Sequence, residues 1–124
     1  MGEDVIDVLV VDDDDYLRTL WRDVLRDASW RVEEAPNGLV ALEFLRSTPV
    51  GAVVLDVRMP VLDGFGLLDQ LGSPPPVVLV TGHVYDPEVM VRRDKVSFYL
   101  QKPVLPPVLL EAVAQAIELG RRKA

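Results

Sequence analysis

Strand-like and helix-like stretches alternate along this chain, which predicts an α/β fold with a doubly wound parallel sheet and helices on both faces. Three observations carry the prediction. Residues 8–11, 52–55 and 77–80 are apolar runs without alternation, as strands buried on both faces are. The segments after the first two runs place apolar residues at helical spacing. The first two runs also end directly on aspartate, at Asp12 and Asp56.

Each element follows in order. After the first run, Leu17, Leu20, Trp21, Val24, Leu25 and Ala28 mark a helix, with Asp15 as its expected N-cap. Residues 32–35 form a short strand, and Asn37-Gly38 signals a turn. Leu39, Leu42, Phe44 and Leu45 give a second helix that stops before Thr48-Pro49. The strand into Asp56 follows, then a loop over 57–63 and a short helix over 65–71. Ser73-Pro74-Pro75-Pro76 is a connector, since proline has no ladder donor. The third strong strand ends on Thr81-Gly82. A weakly patterned helix is expected over 87–95 and a strand over 97–101. Pro106-Pro107 opens a last helix whose stripe includes Leu109, Ala112, Val113, Ala116 and Ile117. The expectation is one domain over 1–124, with its core at about 5–120. The basic tail 120–124 reads as a helix end or the start of a linker.

Composition narrows the function classes. Hydrophobic residues make up 49% of 124, enough for a core and too many for a disordered tail. Thirteen basic against twenty acidic residues give a net charge of −7, which argues against direct nucleic-acid binding. No apolar run approaches the about 20 residues that span a bilayer. The acidic start Met1-Gly2-Glu3-Asp4 lacks the basic opening of a secretory signal, so a cytoplasmic location is expected. The absence of cysteine removes disulfides and thiolate metal sites.

The chemistry gathers at the strand ends. In a doubly wound sheet, ligands bind outside the carboxyl ends of the strands at a switch in strand order. That edge collects Asp12-Asp13, Asp56, Thr81 and Lys102. Close like charges are unfavourable, and a bound cation is the usual compensation. Carboxylates without thiols, beside a lone histidine (His83), favour a hard ion with oxygen ligands, magnesium before calcium. Such sites serve phosphoryl transfer, and an aspartate can itself be the nucleophile. Locally, the four aspartates 12–15 could instead be a solvated loop or a helix cap, and Thr81 an ordinary strand-end residue.

Together, Val10-Val11-Asp12-Asp13, Leu55-Asp56-Val57-Arg58-Met59-Pro60, Asp63-Gly64, Val80-Thr81-Gly82 and Lys102-Pro103 resemble the receiver domains of two-component response regulators. Each fragment is weak alone, but their order and spacing over nearly the whole chain make the match specific. The resemblance implies a flavodoxin-like, three-layer fold: a five-stranded parallel sheet in order 2-1-3-4-5 with five helices. It implies Asp56 as phosphoacceptor, with magnesium (manganese as substitute) held by Asp13, Asp56 and the Arg58 main-chain carbonyl, and by Asp12 mainly through water. Thr81 would bond a phosphoryl oxygen, Lys102 would pair with the phosphoryl group, and the bond before Pro103 would be cis. Thr81 and Tyr99 would act as the switch. Arg58 and His83 fall where the family tunes phosphoryl lifetime. The donor would be a sensor histidine kinase or a histidine phosphotransfer protein, and the chain a signalling switch rather than a turnover enzyme. The surface of helix 4, strand 5 and helix 5 would control an output domain or protein, with a homodimer among the assemblies open to it.

One stretch departs from the family pattern. Residues 92–97 lack the glycine-containing turn before the last strand, so helix 4 is expected to be short, mobile or displaced. Two rivals stand beside the switch. Asp12-Asp13-Asp14-Asp15 contains the Asp-x-Asp spacing of haloacid-dehalogenase-like phosphatases, but no later acidic pair follows Lys102. A receiver-fold interaction module that works without phosphorylation is the second.

Overall fold

Alternate residues of the central strand face opposite ways, and both sets are apolar. In β1 (Ile6–Val11), Val8 and Val10 pack toward one helical layer, and Leu9 and Val11 toward the other. Strands β3 (Val50–Asp56) and β4 (Val77–Thr81) repeat the arrangement, which accounts for their unbroken apolar runs. With β2 (Val32–Ala35) and β5 (Phe98–Gln101) they form one parallel sheet in the order β2-β1-β3-β4-β5. The computed structural model describes residues 5–123, so the acidic start at 1–4 and Ala124 lie outside the described residues.

Helices α1 (Asp15–Asp27) and α5 (Pro106–Lys123) cover the face of Val8, Val10 and Val54, burying Trp21, Leu25, Leu109, Val113 and Ile117. Helices α2 (Gly38–Ser47), α3 (Gly64–Gln70) and α4 (Pro87–Met90) cover the opposite face through Ala41, Leu42, Leu67, Leu68 and Val89. Each fully enclosed leucine contributes about 1.5–3 kcal/mol through removal of its apolar surface from water. The basic residues Arg121, Arg122 and Lys123 lie in the last turn of α5, where cations suit the helix dipole. Among the described residues no helix is long and apolar enough to cross a membrane.

Register sets the functional edge. Val11 pairs with Leu55, Asp56 with Val80, and Thr81 with Gln101, so the exits of β1, β3, β4 and β5 finish side by side. The chain leaves β1 toward β2 on one side and β3 leads to β4 on the other, which opens a crevice at that edge.

Three local expectations are corrected. Asp14, rather than Asp15, caps α1: its carboxylate accepts the N–H groups of Tyr16 and Leu17, while Asp15 is the first helical residue. Asn37-Gly38 starts α2 instead of forming a free turn, with Asn37 accepting the Val40 N–H. The helix expected over 87–95 is one α turn followed by a separate 3₁₀ turn, Arg93–Lys95. Its apolar residues cannot form a stripe, because Val89 alone is buried in α4 and Val91 is 72% exposed. Long cationic side chains hold the segment instead. Lys95 Nζ donates to the Leu68 and Leu71 carbonyls at 2.9 and 2.8 Å, satisfying the end of α3.

Candidate functional site

Asp56 ends β3 and Asp12 follows β1, so both carboxylates rise from the sheet edge with only 4% and 5% of each residue exposed. Asp13, one residue further on, is exposed. One carboxylate oxygen from each of the three lies within 4.8 Å of the others. Burial pushes the Asp12 carboxyl up to about 6; the Asp14 N–H, donated at 2.9 Å, opposes this, and the charge of Asp56 adds to it. Burial also raises the Asp56 carboxyl above its ordinary range, against the opposing pull of Lys102. Lys102 Nζ lies 2.6 Å from Asp56 Oδ1, a close ion pair. Three converging carboxylates, two of them buried, offer oxygen donors only and fit a small hard cation such as magnesium.

Two glycines set the loop beyond Asp56. A Cβ on Gly64 would stand 2.5 Å from the Asp56 carbonyl oxygen and 3.0 Å from Val57 Cα, so α3 can start against the strand end only without a side chain. The Gly64 N–H donates to the Val57 carbonyl at 2.8 Å, and Asp63 caps α3 by accepting the Gly66 N–H at 2.7 Å. On the other side of the loop, Gly38 donates its N–H to the Leu62 carbonyl at 2.9 Å, where any Cβ would collide. Arg58 lies in this loop with its side chain exposed, two residues past Asp56.

Thr81 ends β4 almost fully buried, and its hydroxyl accepts the His83 N–H at 3.2 Å. His83 itself is exposed. The Lys102 N–H donates to the Thr81 carbonyl at 2.9 Å, which ties the exit of β5 to that of β4. The Lys102–Pro103 peptide bond is cis. Tyr99 sits further back on β5 opposite Leu79, 37% exposed, with burial raising its phenol. The structure thus gathers Asp12, Asp13, Asp56 and Lys102, places Thr81 and the Arg58 loop on the same edge, and leaves Tyr99 behind it. Sequence reasoning missed Arg18, whose guanidinium donates to the Asp12 carbonyl at 2.8 Å and pairs with Glu34 of β2. Its available signal was an arginine one turn after the Asp14 cap, facing the acidic β2.

A doubly wound sheet in this strand order, carrying an acidic trio and a lysine at its carboxyl edge, defines the receiver class of α/β domain. The family model described as the response regulator receiver domain matches residues 8–114, and the chain belongs to that family. The C4-dicarboxylate transport transcriptional regulatory protein DctD of Pseudomonas aeruginosa is 36% identical over 118 residues, 92% of this chain and 26% of that protein. An uncharacterized 14.6 kDa protein of Leptolyngbya boryana is 35% identical over 116 residues, 89% of this chain and 88% of its own length. The crystal structure of a CheY-like response regulator receiver domain protein from Methanospirillum hungatei JF-1 superposes with a TM-score of 0.85, covering 97% of this chain and 99% of that one; at 22% identity it speaks for the fold alone. The chain spans about a quarter (26%) of the length of the NtrX-like and DctD relatives it matches. Receiver domains are in general switches that bind magnesium at an acidic pocket and are phosphorylated by histidine kinases.

Proposed function

We propose that this chain accepts a phosphoryl group on Asp56 from a phosphohistidine of a sensor kinase or phosphotransfer protein, and that the new charge alters an output surface. The observation that carries this reading is the Asp56 carboxylate: buried, 2.6 Å from Lys102 and beside two further carboxylates. In the step itself an Asp56 oxygen attacks phosphorus, the O–P bond forms and the P–N bond breaks. The electron pair remains on the imidazole nitrogen. Lys102 is placed to pair with the transferred phosphoryl oxygens, and the Thr81 hydroxyl can turn from the His83 N–H to bond one of them. Magnesium or manganese would be held by Asp13, Asp56 and the Arg58 carbonyl, with Asp12 acting mainly through water, and would supply charge neutralisation for a phosphoryl group entering an acidic pocket.

Around this floor Tyr16 in the first turn of α1 and Val61, Tyr85 and Leu105 in the loops after β3, β4 and β5 are exposed, which suits them to contact a docking protein. Met90, Val91, Tyr99 and Val108 are exposed on the α4, β5 and α5 elements, which suits them to the output contact. Movement of Thr81 toward the phosphoryl group and of Tyr99 behind it would shift the population between two packings.

The test is acetyl phosphate with magnesium, read on a phosphate-affinity gel. Wild-type protein should shift and Asp56→Asn should not. A shift that survives in Asp56→Asn removes the acceptor from position 56, and unreactive wild type favours a phosphorylation-independent module. Sustained hydrolysis of p-nitrophenyl phosphate would instead mark a turnover phosphatase.

A further inference from the structure

Arg18 stands outside the acidic trio, yet every arm of its guanidinium is engaged. Nη1 donates to the Asp12 carbonyl at 2.8 Å, Nε to Glu34 Oε1 at 3.2 Å, and Nη2 pairs with Asp15 Oδ1 at 2.7 Å. Its side chain is 14% exposed, and the other Glu34 oxygen is held by Arg22 at 3.0 Å. The Asp12 N–H meanwhile donates to the Ala35 carbonyl at 3.2 Å.

These contacts have a geometric result. The Asp12 carbonyl belongs to the peptide plane that joins Asp12 to Asp13, and a peptide plane is rigid. Fixing that carbonyl fixes where the Asp13 Cα stands beyond the strand end, and so the point from which the Asp13 side chain departs. The guanidinium is itself anchored to β2 through Glu34 and to the first turn of α1 through Asp15. A planar fork with several donors can hold a carbonyl and two carboxylates together; an ammonium cannot reproduce that geometry. We infer that Arg18 is a positioning residue for the cation site: it holds the main chain between Asp12 and Asp13, from which both carboxylates extend, and acts without touching the ion. This inference rests on the metal reading given above.

Trp21 provides the readout, because it lines a cavity of about 410 Å³ together with Asp12 and Lys102. In a Trp30→Phe background, magnesium titration of the full 124-residue chain should change Trp21 emission with a measurable dissociation constant. Arg18→Ala should weaken magnesium about 10-fold, the scale on which groups that orient metal ligands act. Arg22→Ala, which removes a partner of Glu34 and leaves the Asp12 contact, should stay within about 2-fold, well under that 10-fold scale. Arg18→Lys, with one donor for the carbonyl, should recover part of the loss. If Arg18→Ala does not fold, Arg18→Gln keeps the stem and is read in the same way. Wild-type affinity in the folded Arg18 variant overturns the inference, and so does an equal loss in Arg22→Ala. No magnesium response in the Trp30→Phe parent overturns the metal reading itself, which separates the two failures.

Discussion

Two arginines tie two corners of this molecule, and they do so on different foundations. At the β1–α1–β2 corner, Arg18 joins Glu34, Asp15 and the Asp12 main chain above a packed layer of Val8, Val10, Trp21, Leu25 and Val32. At the α3–α4 corner, Arg92 grips both oxygens of Asp69 at 2.9 and 2.8 Å, reaches Glu88, and lies 4.7 Å over the Phe65 ring. Beneath it α4 buries only Val89. In the first corner apolar packing supports a charged clamp that orients a site. In the second the clamp substitutes for packing that the sequence does not provide. The same side chain therefore transmits position in one place and maintains attachment in the other.

The largest effect should come from removing the packing under the first corner. Leu25→Ala should cost about 2–5 kcal/mol, read as a lower denaturant midpoint for the whole chain. Acid should then separate the corners. Asp12 has its folded carboxyl raised from 3.8 to about 6, so the folded state binds more protons across that window. Its contribution to metal-free stability falls as pH rises from 3.8 to about 6. Asp69 is shifted the other way: Arg92 lowers its carboxyl below 3.8, so its contribution is present above 3.8 and lost only as pH falls through the lowered value. Metal-free melting temperature should therefore rise on acidification from pH 7 to pH 5, and Asp12→Asn should raise it at pH 7 and flatten that slope. A slope unchanged in Asp12→Asn would assign the effect to another group. The smallest global change is expected from Arg92→Ala, about 1 kcal/mol or less, because its partners are exposed. Its amide exchange should nonetheless quicken over 87–96 more than anywhere else, and uniform exchange in that variant would deny the clamp its local role.

The parallel sheet was legible because β1, β3 and β4 are buried on both faces, which leaves no alternation to confuse with surface strands. The acidic trio was legible because Asp12 and Asp56 directly end such runs. The cap at Asp14 was less so: four successive aspartates give equal local signals, and only the turn made by Asp12 accepting the Asp14 N–H selects one. The break after Met90 was foreshadowed by the poor pattern of 87–95. What anchors the segment there is a set of contacts to Leu68, Asp69 and Leu71, more than twenty residues away in sequence, which periodicity cannot report. Arg18 escaped notice for the same reason, since its meaning lies in a main-chain carbonyl rather than in a residue type.

The bare main chain at Gly38 and Gly64 has a practical corollary for protein engineers. At Gly38 helix α2 meets the Leu62 carbonyl, and at Gly64 helix α3 meets the Asp56 carbonyl, with no room for a Cβ at either point. Chimeras that exchange α2 should therefore carry the 57–64 loop from the same parent, since a shift of the main chain at either glycine meets a carbonyl that cannot give way.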